Sequence, residues 1–321
     1  MAVLGLNLIP ETSTASIVAL ARCAEESGYE RCRIYDEGLA TRDVHVVSAA
    51  VAAATQHLLI GPGITNPYTR HPAQSVAAIA SLDEMSGGRA MIGIGAGGSL
   101  TLDPLGIERR RPLAAVEEFI AAARGLLSGE PVDLDGATLT LRSARLDYGR
   151  SDIPIWLAGR GPRILSLGGR LADGVILDFL HDSVLAESVG LVRDAAAVAG
   201  REVAVSYSTS VVMTDEDLEA VRPHMTYRLV DSPADVREAI GLDDTTVAAI
   251  RAALAGGLAT AARLVRDEWV LPFVVHGDPP TCRRRIEELC ARHDVEEFLL
   301  PVFHMSDPAG YIARVGDLLG S

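Results

Sequence analysis

The residues best suited to chemistry lie between Ile60 and Pro72, in the sequence IGPGITNPYTRHP. Two glycines flank a proline at the end of an apolar run, and this lets the backbone approach a flat ligand closely. Thr65, Asn66 and Tyr68 follow at once, where a buried strand would end in a functional loop. We therefore predict that this segment forms one wall of a ligand site.

A second glycine-rich segment, Gly93–Gly98, reads GIGAGG and formally matches the dinucleotide-binding pattern G-x-G-x-x-G. That fingerprint requires a helix to begin in the same turn, within a βαβ unit of about 30 residues. The next long helix is instead predicted to begin near Pro112, after a basic loop. We therefore favour close approach of the backbone of Gly95, Ala96 and Gly97 to a planar ring over a Rossmann-type site.

A third segment, IPIWLAGRGPR, predicts a buried strand and a turn that opens a helix at Pro162. Proline in the first helical turn leaves the neighbouring N–H groups free, and the helix dipole favours an anion there. Arg160 and Arg163 could add charge, so we predict a phosphate cradle; an ordinary βα loop with a proline start is the alternative. The predicted members of the cradle are Ala158, Gly159, Arg160, Gly161 and Pro162.

Three single residues with titratable side chains are further candidates. Asp36, at the end of the second predicted strand, could accept hydrogen bonds from a ligand; a helix cap or a surface salt bridge is the alternative. His71 precedes Pro72, a position that favours a role at a helix N-terminus over catalysis, and His304 is a lone histidine after the last strand. The sequence contains no metal-ligand spacing and no nucleophile elbow, so we expect an organic cofactor to supply the chemistry.

These segments must be positioned by the strands and helices that alternate along the chain. Eight short apolar runs, most of them followed by a helix, predict a (β/α)8 barrel, with an open doubly wound sheet as the alternative. In such a barrel the active site forms at the carboxyl ends of the strands, where all three segments lie. The predicted strands are Leu4–Ile9, Arg31–Tyr35, Leu58–Ile64, Ala90–Gly95, Ile153–Leu157, Gly174–Leu177, Val203–Met213 and Glu297–Val302.

Two insertions are predicted within one domain that spans residues 1–321. Val132–Asp147 alternates with period two around Asp135 and Gly136, a pattern typical of a β-hairpin. Asp215–Asp267 is rich in helical patterns and is too long for a single βα loop. We expect it to form a small helical insertion before the last strand, covering the mouth of the pocket.

Composition excludes several classes of partner. The chain of 321 residues carries a formal net charge of −14, with 43 acidic and 29 basic residues. So acidic a surface argues against nucleic acid, because phosphate binding needs a basic face. The longest apolar runs fall far short of the ~20 residues of a membrane span, and the four cysteines show no zinc or redox spacing. We expect a cytoplasmic protein that acts on a small molecule.

With these residues in view, the chain resembles the bacterial luciferase-like superfamily. Within it, the chain is most similar to the methylenetetrahydromethanopterin reductases, which use coenzyme F420, a deazaflavin. The family's GPGVTNPYTRHP appears here as GPGITNPYTRHP, and its LDE-x-SGGR appears as LDEMSGGR. Its GIGAG, LGI, IPIY-x-GAQGPK and ADGVL elements correspond to Gly93–Gly97, Leu105–Ile107, Ile153–Arg163 and Leu171–Leu177. The resemblance spans nearly the whole chain.

The resemblance implies a (β/α)8 barrel of the luciferase-like type, usually a homodimer, that binds F420 at the carboxyl ends of the strands. It also implies a non-prolyl cis peptide between Gly63 and Ile64, in a bulge that lies against the ring. The phosphate falls at Gly159–Pro162. The residues that correspond to the ring and ribityl region are Asp36, Thr65, Gly95 and Gly97.

Three positions depart from the family pattern. Asn7 stands where the family has an acidic residue thought to act in proton transfer, and Gly98 stands where it has an aspartate. Asp178 replaces the usual asparagine. An amide has no useful proton to exchange near neutral pH, so we expect a substrate other than methylenetetrahydromethanopterin. We predict that Asn7, Tyr68, Gly98 and Asp178 contact the substrate and that Asp36 and His304 are the catalytic residues.

Three functional hypotheses follow. The first is an F420-dependent oxidoreductase that moves hydride between C5 of the coenzyme and an imine, enone or alcohol, since hydride transfer depends mainly on positioning. The second is a luciferase-like monooxygenase that uses FMN, whose N5 atom the oxygen adduct requires. The third is a non-catalytic homologue that binds the cofactor, consistent with the loss of both acids.

Overall fold

The computed structural model describes residues 2–303 and 305–319. Its strands are β1 (Val3–Leu8), β2 (Arg31–Ile34), β3 (Leu59–Pro62), β4 (Ile92–Gly95), β5 (Val132–Asp135), β6 (Thr140–Ala144), β7 (Ile155–Ala158), β8 (Gly174–Asp178), β9 (Ala204–Ser208), β10 (Val211–Val212), β11 (Val275–His276) and β12 (Glu297–Val302). Eight of them form one parallel sheet in the order β3-β2-β1-β12-β9-β8-β7-β4. Bridges from Ile60 to Ala90 and from Thr65 to Ile94 link the two edge strands. The sheet thus nearly closes, and the predicted (β/α)8 barrel is confirmed.

Helices surround this barrel. The α-helices are α1 (Thr14–Glu26), α2 (Val44–Ala54), α3 (Pro72–Ser86), α4 (Ser99–Leu102), α5 (Pro112–Leu127), α6 (Pro162–Leu171), α7 (Asp182–Val198), α8 (Asp215–Val230), α9 (Ala234–Ala239), α10 (Asp244–Leu254), α11 (Leu258–Ala262), α12 (Asp267–Val270), α13 (Pro279–His293) and α14 (Pro308–Leu319). Short 3₁₀ turns occur at Gly38–Ala40, Asp103–Leu105 and Leu271–Phe273. The His71 side chain accepts a hydrogen bond from the Ala73 amide at the start of α3, 3.2 Å away, which confirms its interpretation as a helix-terminal residue.

One predicted strand was wrong. The run Val203–Met213 contains two strands, β9 and β10, and β10 pairs with β11 in a separate two-stranded sheet. The break follows Ser208, where the hydroxyl of Thr209 donates to the carbonyl oxygen of Phe273 over 2.6 Å. The chain therefore leaves the barrel wall at Thr209, although the apolar pattern continues beyond it.

Both predicted insertions are present. Strands β5 and β6 form the antiparallel hairpin, and the carboxylate of Glu118 on α5 accepts hydrogen bonds from the amides of Ala137, Thr138 and Leu139 near its tip. The helical insertion comprises α8 to α12 and the 3₁₀ turn that ends at Phe273, so it continues beyond the predicted boundary. It has its own apolar cluster, which includes Met225, Leu229, Trp269 and Phe273.

The interior of the barrel holds charged side chains. Arg33 and Glu297 are fully buried and form an ion pair, and Arg31 Nη1 lies 3.2 Å from Glu297 Oε2. The ring of Trp156 lies 4.8 Å from the guanidinium carbon of Arg33 and 5.1 Å from that of Arg31. A buried charge needs such partners, because desolvation otherwise costs several kcal/mol, on the order of the whole stability of a domain.

Glycines on the surrounding strands make room for these large side chains. A Cβ on Gly5 would lie 2.2 Å from Glu297 Oε1, and one on Gly174 would lie 2.3 Å from the Trp156 ring. A Cβ on Gly63, just beyond the end of β3, would lie 2.3 Å from the Cβ of Arg33. The aliphatic stem of Arg33 therefore packs directly against Gly63.

We expect the substitution Glu297→Gln to lower the free energy of unfolding by about 3–5 kcal/mol, because it leaves Arg33 buried without its partner charge. The double variant Arg33→Met/Glu297→Gln should recover much of that loss in urea denaturation, since both charges are then absent. Equal loss in the single and double variants would show that the charge pairing is not what stabilises this region.

Acid should weaken the same pair. Burial raises the pKa of Glu297, but Arg33 and Arg31 outweigh it and hold the pKa below its usual value. The contribution of Glu297 to stability is therefore present above the unfolded-state pKa of about 4.3 and is lost as the pH falls through the lower folded-state value. The double variant should lack this acid-dependent loss.

Candidate functional site

The predicted site residues meet at the carboxyl ends of the barrel strands. Asn7 lies near the end of β1, Asp36 follows β2, and Gly63, Ile64 and Thr65 follow β3. Gly95 ends β4 and is in register with Ala158, which ends β7. The three segments singled out in the sequence thus occupy neighbouring positions at one edge of the sheet.

The peptide bond between Gly63 and Ile64 is cis, as the resemblance implied. The bulge that contains it is held by neighbours on both sides. The Gly63 amide donates to Ile34 O over 2.7 Å, and the Thr65 amide donates to Gly93 O over 3.0 Å. The backbone of β3 therefore connects β2 and β4 across the bulge.

Asn7 supports this bulge from inside the barrel. Its side chain is only 4% exposed, and its Nδ2 donates to the carbonyl oxygen of Gly63 over 2.8 Å. Its Oδ1 is buried and has no hydrogen-bond partner within residues 2–303 and 305–319. Because buried polar atoms are normally satisfied, this oxygen is an exception in the barrel interior, and it lies only 2.8 Å from where a Cβ on Gly63 would be.

Asp36 is tied to the same bulge. Its Oδ2 accepts a hydrogen bond from the hydroxyl of Thr65, 2.6 Å away, and Thr65 itself is buried. The N-cap of the following 3₁₀ turn is Glu37, not Asp36. The carboxylate of Asp36 is therefore positioned by the site and does not serve as a helix cap.

Glycines at and after the end of β4 continue the same wall. A Cβ on Gly95 would lie 2.1 Å from Ile64 Cδ1, so the Ile64 side chain packs directly on the Gly95 backbone. Gly97 has φ +74°, a conformation that favours glycine. A Cβ on Gly98 would meet no atom within 4 Å, which leaves this position open to solvent or to a ligand.

The next long helix begins at Pro112, as predicted, but a short helix that the sequence analysis did not predict precedes it. Helix α4 begins at Ser99, immediately after Gly98, because the amides of Thr101 and Leu102 both donate to the Gly98 carbonyl oxygen, at 3.2 and 3.0 Å. The helix has only four residues, and the long helix α5 does begin at Pro112. The segment therefore still lacks the helix of a dinucleotide-binding βαβ unit.

The predicted phosphate cradle lies at the start of α6. Gly161 is the N-cap and makes no side-chain cap, and a Cβ there would meet nothing within 4 Å. Pro162 has no N–H, and the amides of Ile164 and Leu165 both donate to the Gly161 carbonyl oxygen, at 3.1 Å. The Arg163 amide is therefore the N–H group of this first turn that is suited to bind an anion. Arg160, which we expected to add its charge, instead places Nη2 2.9 Å from Asp178 Oδ1. Its charge is balanced there.

Asp178 also contacts the helical insertion. Its Oδ2 lies 2.5 Å from Nη2 of Arg228 on α8. Burial raises the pKa of Asp178, but Arg228 and Arg160 together outweigh it and hold the pKa well below its usual value. Asp178 is therefore a permanent carboxylate that links β8 to the insertion.

Helix α8 also presents two residues that the sequence analysis missed. The ring of His224 stacks on Phe303, with centroids 3.7 Å apart and planes 10° apart. The guanidinium of Arg228 lies 4.3 Å from the ring centroid of Phe179. His224 and Arg228 lie four residues apart on a helix, so they share one face of it. This spacing, in an insertion expected to cover the pocket, is the signal that could have identified them.

Glu37 was also missed, although it follows Asp36 directly. Its Oε2 accepts a hydrogen bond from the Thr101 hydroxyl over 3.1 Å. Burial raises the pKa of Glu37, and the charge of Asp36 raises it further. Burial likewise raises the pKa of the neighbouring Tyr35. The carboxyl group of Glu37, beyond the end of β2, therefore holds its proton to a higher pH than an ordinary glutamate.

Two other predicted residues have different outcomes. The hydroxyl of Tyr68 donates to the carbonyl oxygen of Arg110 over 2.9 Å, so Tyr68 supports the loop between α4 and α5. His304 lies outside the described residues.

The part of the chain that the structure describes contains no group of three His, Cys, Asp or Glu residues that could hold a metal ion. None of its helices is both long enough and apolar enough to span a membrane.

The fold and this edge of the sheet define a (β/α)8-barrel protein whose candidate site lies at the carboxyl ends of the strands. The sequence profile of the luciferase-like monooxygenase family matches residues 4–294, and the chain belongs to this family.

Relatives and solved structures agree with this assignment. The chain is 33% identical over 293 residues to the 5,10-methylenetetrahydromethanopterin reductase of Methanolobus tindarius, covering 89% of this chain and 90% of that protein. The structure of the coenzyme F420-dependent tetrahydromethanopterin reductase from Methanopyrus kandleri matches with a TM-score of 0.90 and 29% identity, over 99% and 98% of the two chains. The F420-dependent glucose-6-phosphate dehydrogenase of Beutenbergia cavernae is 32% identical over 173 residues, 50% of this chain and 51% of that protein.

We expect the imidazole of His224 to titrate in NMR spectra with a pKa of about 4, because burial lowers it and Arg228 lowers it further. The variant Arg228→Gln should raise that pKa, whereas Arg266→Gln, elsewhere in the insertion, should leave it unchanged. The folded-state pKa lies below the unfolded value of about 6.5, so the stability from this histidine is lost as the pH falls below about 6.5. A titration near pH 6.5 would contradict the stacked, buried position.

Proposed function

We propose that this protein is a coenzyme F420-dependent oxidoreductase that moves hydride between the deazaflavin C5 and a small organic substrate. The observation that carries the proposal is the bulge at Gly63 and Ile64, packed against the glycine wall of β4 and beside the open start of α6. The relatives named above that use F420 support the choice of coenzyme. When bound, F420 supplies the hydride acceptor or donor.

The residues present fit such a coenzyme. Ile64 and the backbone of Gly95, Ala96 and Gly97 offer a flat apolar wall to one face of a ring. Asp36 and Thr65 would contact the ribityl region, and the Arg163 amide, together with Gly159–Pro162, would hold the phosphate. These residues bind and orient, which is the main requirement of hydride transfer.

We also propose that the substrate is an imine, enone or alcohol and not methylenetetrahydromethanopterin. Asn7 uses its amide to hold Gly63, and Gly98 has no side chain, so neither replaces the acids implied by the resemblance. Glu37 is suited to hold or release a proton beside Asp36, because its pKa is raised. His304 stays a candidate for the same role.

The second candidate function is that of an FMN-dependent monooxygenase. The match to the luciferase-like monooxygenase profile favours it. It would require a flavin with an N5 atom, which the deazaflavin lacks. Cofactor choice therefore separates the two functions.

Titration with oxidised and reduced F420, and separately with FMN, should show tight binding of F420 and weak binding of FMN by fluorescence and absorbance. The variant Gly95→Ala should weaken F420 binding about tenfold, because its Cβ would collide with Ile64 and overpacking costs about 1–3 kcal/mol. Gly190→Ala on α7, where a Cβ would meet no atom within 4 Å, is the matched control. Preference for FMN would overturn the proposal, and F420 binding without turnover of any imine, enone or alcohol would favour the non-catalytic hypothesis.

We propose in addition that the protein is a homodimer formed through α2 and α3. Val46 on α2 is 63% exposed and Met85 on α3 is 52% exposed. The same two helices carry the exposed Ala53 and the partly exposed Ala50 and Ala78. An apolar face of small residues suits a two-fold interface, in which one surface meets its own copy.

The double variant Val46→Glu/Met85→Glu should sediment as a monomer of half the mass of the wild-type protein, because it places four charges at a two-fold interface. Val198→Glu, on an 88% exposed residue of α7, should leave the mass unchanged. A monomeric wild-type protein would refute the homodimer.

A further inference from the structure

Arginines concentrate at one edge of the candidate site, although the chain carries a net charge of −14. The loop before α5 contains Arg109, Arg110 and Arg111, all exposed. Nη1 of Arg109 donates to the Gly97 carbonyl oxygen over 3.0 Å, which fixes the loop beside the glycine wall. Within this loop only Arg110 forms an ion pair among the described residues, with the exposed Glu108.

A groove of about 580 Å³ begins next to this loop. It lies between the first two turns of α5 and the length of α6, from Pro162 to Arg170 in the last turn, and its lining includes Leu113, Glu117, Pro162, Arg163, Ser166 and Arg170. Glu117 is the single carboxylate in the lining. Arg163 and Arg170 form no ion pair with any residue that the structure describes. The groove is therefore positively charged in an otherwise acidic protein.

Pro162 joins the groove to the candidate phosphate position, because it lines the groove and is also the first residue of α6. Arg163 and Arg170 are seven positions apart on one helix, which corresponds to roughly 10 Å at 1.5 Å per residue. Guanidinium groups bind carboxylates in a bidentate manner, and a concave surface concentrates their field. Two arginines at this spacing suit successive anionic groups along one chain.

We propose that this groove binds a carboxylate-bearing chain that continues outward from the phosphate of the bound coenzyme. The oligoglutamyl tail of F420 has this chemistry. This proposal rests on the proposed function and extends it, because α5 and α6 would bind the end of the coenzyme that lies farthest from its ring.

The test compares dissociation constants for F420 with a long oligoglutamyl tail and for F420 without glutamyl residues, by fluorescence. The wild-type protein should bind the tailed form roughly three- to tenfold more tightly, the range expected for two exposed charge pairs. This advantage should vanish at high salt, where exposed charges are screened. It should also vanish in the variant Arg163→Gln/Arg170→Gln, because this variant lacks both guanidinium groups. A change at the phosphate would affect both forms of the coenzyme equally, so it cancels in the ratio of the two dissociation constants.

The matched control is Arg22→Gln/Arg263→Gln, which removes the same number of charges from exposed positions on α1 and after α11 and should preserve the ratio. Arg163→Lys/Arg170→Lys should retain part of the advantage. Equal affinity for the two forms in the wild-type protein, or an unchanged ratio in the glutamine variant, would overturn the groove assignment alone. Failure of both forms to bind would overturn the proposed function as well.

Discussion

The buried ion pair between Arg33 and Glu297 is the constraint on which the barrel and its site depend. Two charges inside a barrel are stable only when they are paired, and the pair, with Trp156 beneath it, occupies space that aliphatic side chains would normally fill. Close packing then requires glycines on the facing strands. Gly63, just beyond the end of β3, meets the same requirement, so the position of the bulge is set by how the interior is filled.

A second set of contacts holds the helical insertion against the carboxyl ends of the strands. Arg228 of helix α8 forms an ion pair with Asp178 at the end of β8. His224 of the same helix stacks on Phe303, the residue after β12. An ionised carboxylate with two arginine partners has no proton to give and little capacity for another ligand. Its role at this position is therefore attachment.

The sequence was sufficient for the barrel because strands buried on both faces read as short continuous apolar runs. It was also sufficient for the bulge, whose glycines and polar residues are contiguous in IGPGITNPYTRHP. The sequence was insufficient to predict contacts between residues that lie far apart along the chain. Nothing local in RCRI reveals that Arg33 meets Glu297, 264 positions later, or that Arg160 turns towards Asp178. Apolar periodicity also continues through Thr209, whose hydrogen bond to Phe273 ends the strand.

The distribution of charge at the carboxyl ends of the strands favours one orientation of an anionic ligand. Arginines and the open start of α6 lie beyond β4 and β7, whereas Asp36 and Glu37 lie beyond β2, with hydrogen bonds to Thr65 and Thr101. An anionic end bound near α6 is attracted on its own side and repelled from the acidic side. In the proposed binding mode, a ring attached to it would extend over Gly95 towards Ile64. The space left for a second molecule would border Asn7, Glu37 and the insertion, where Arg228 is already paired with Asp178, and this pairing favours an uncharged substrate.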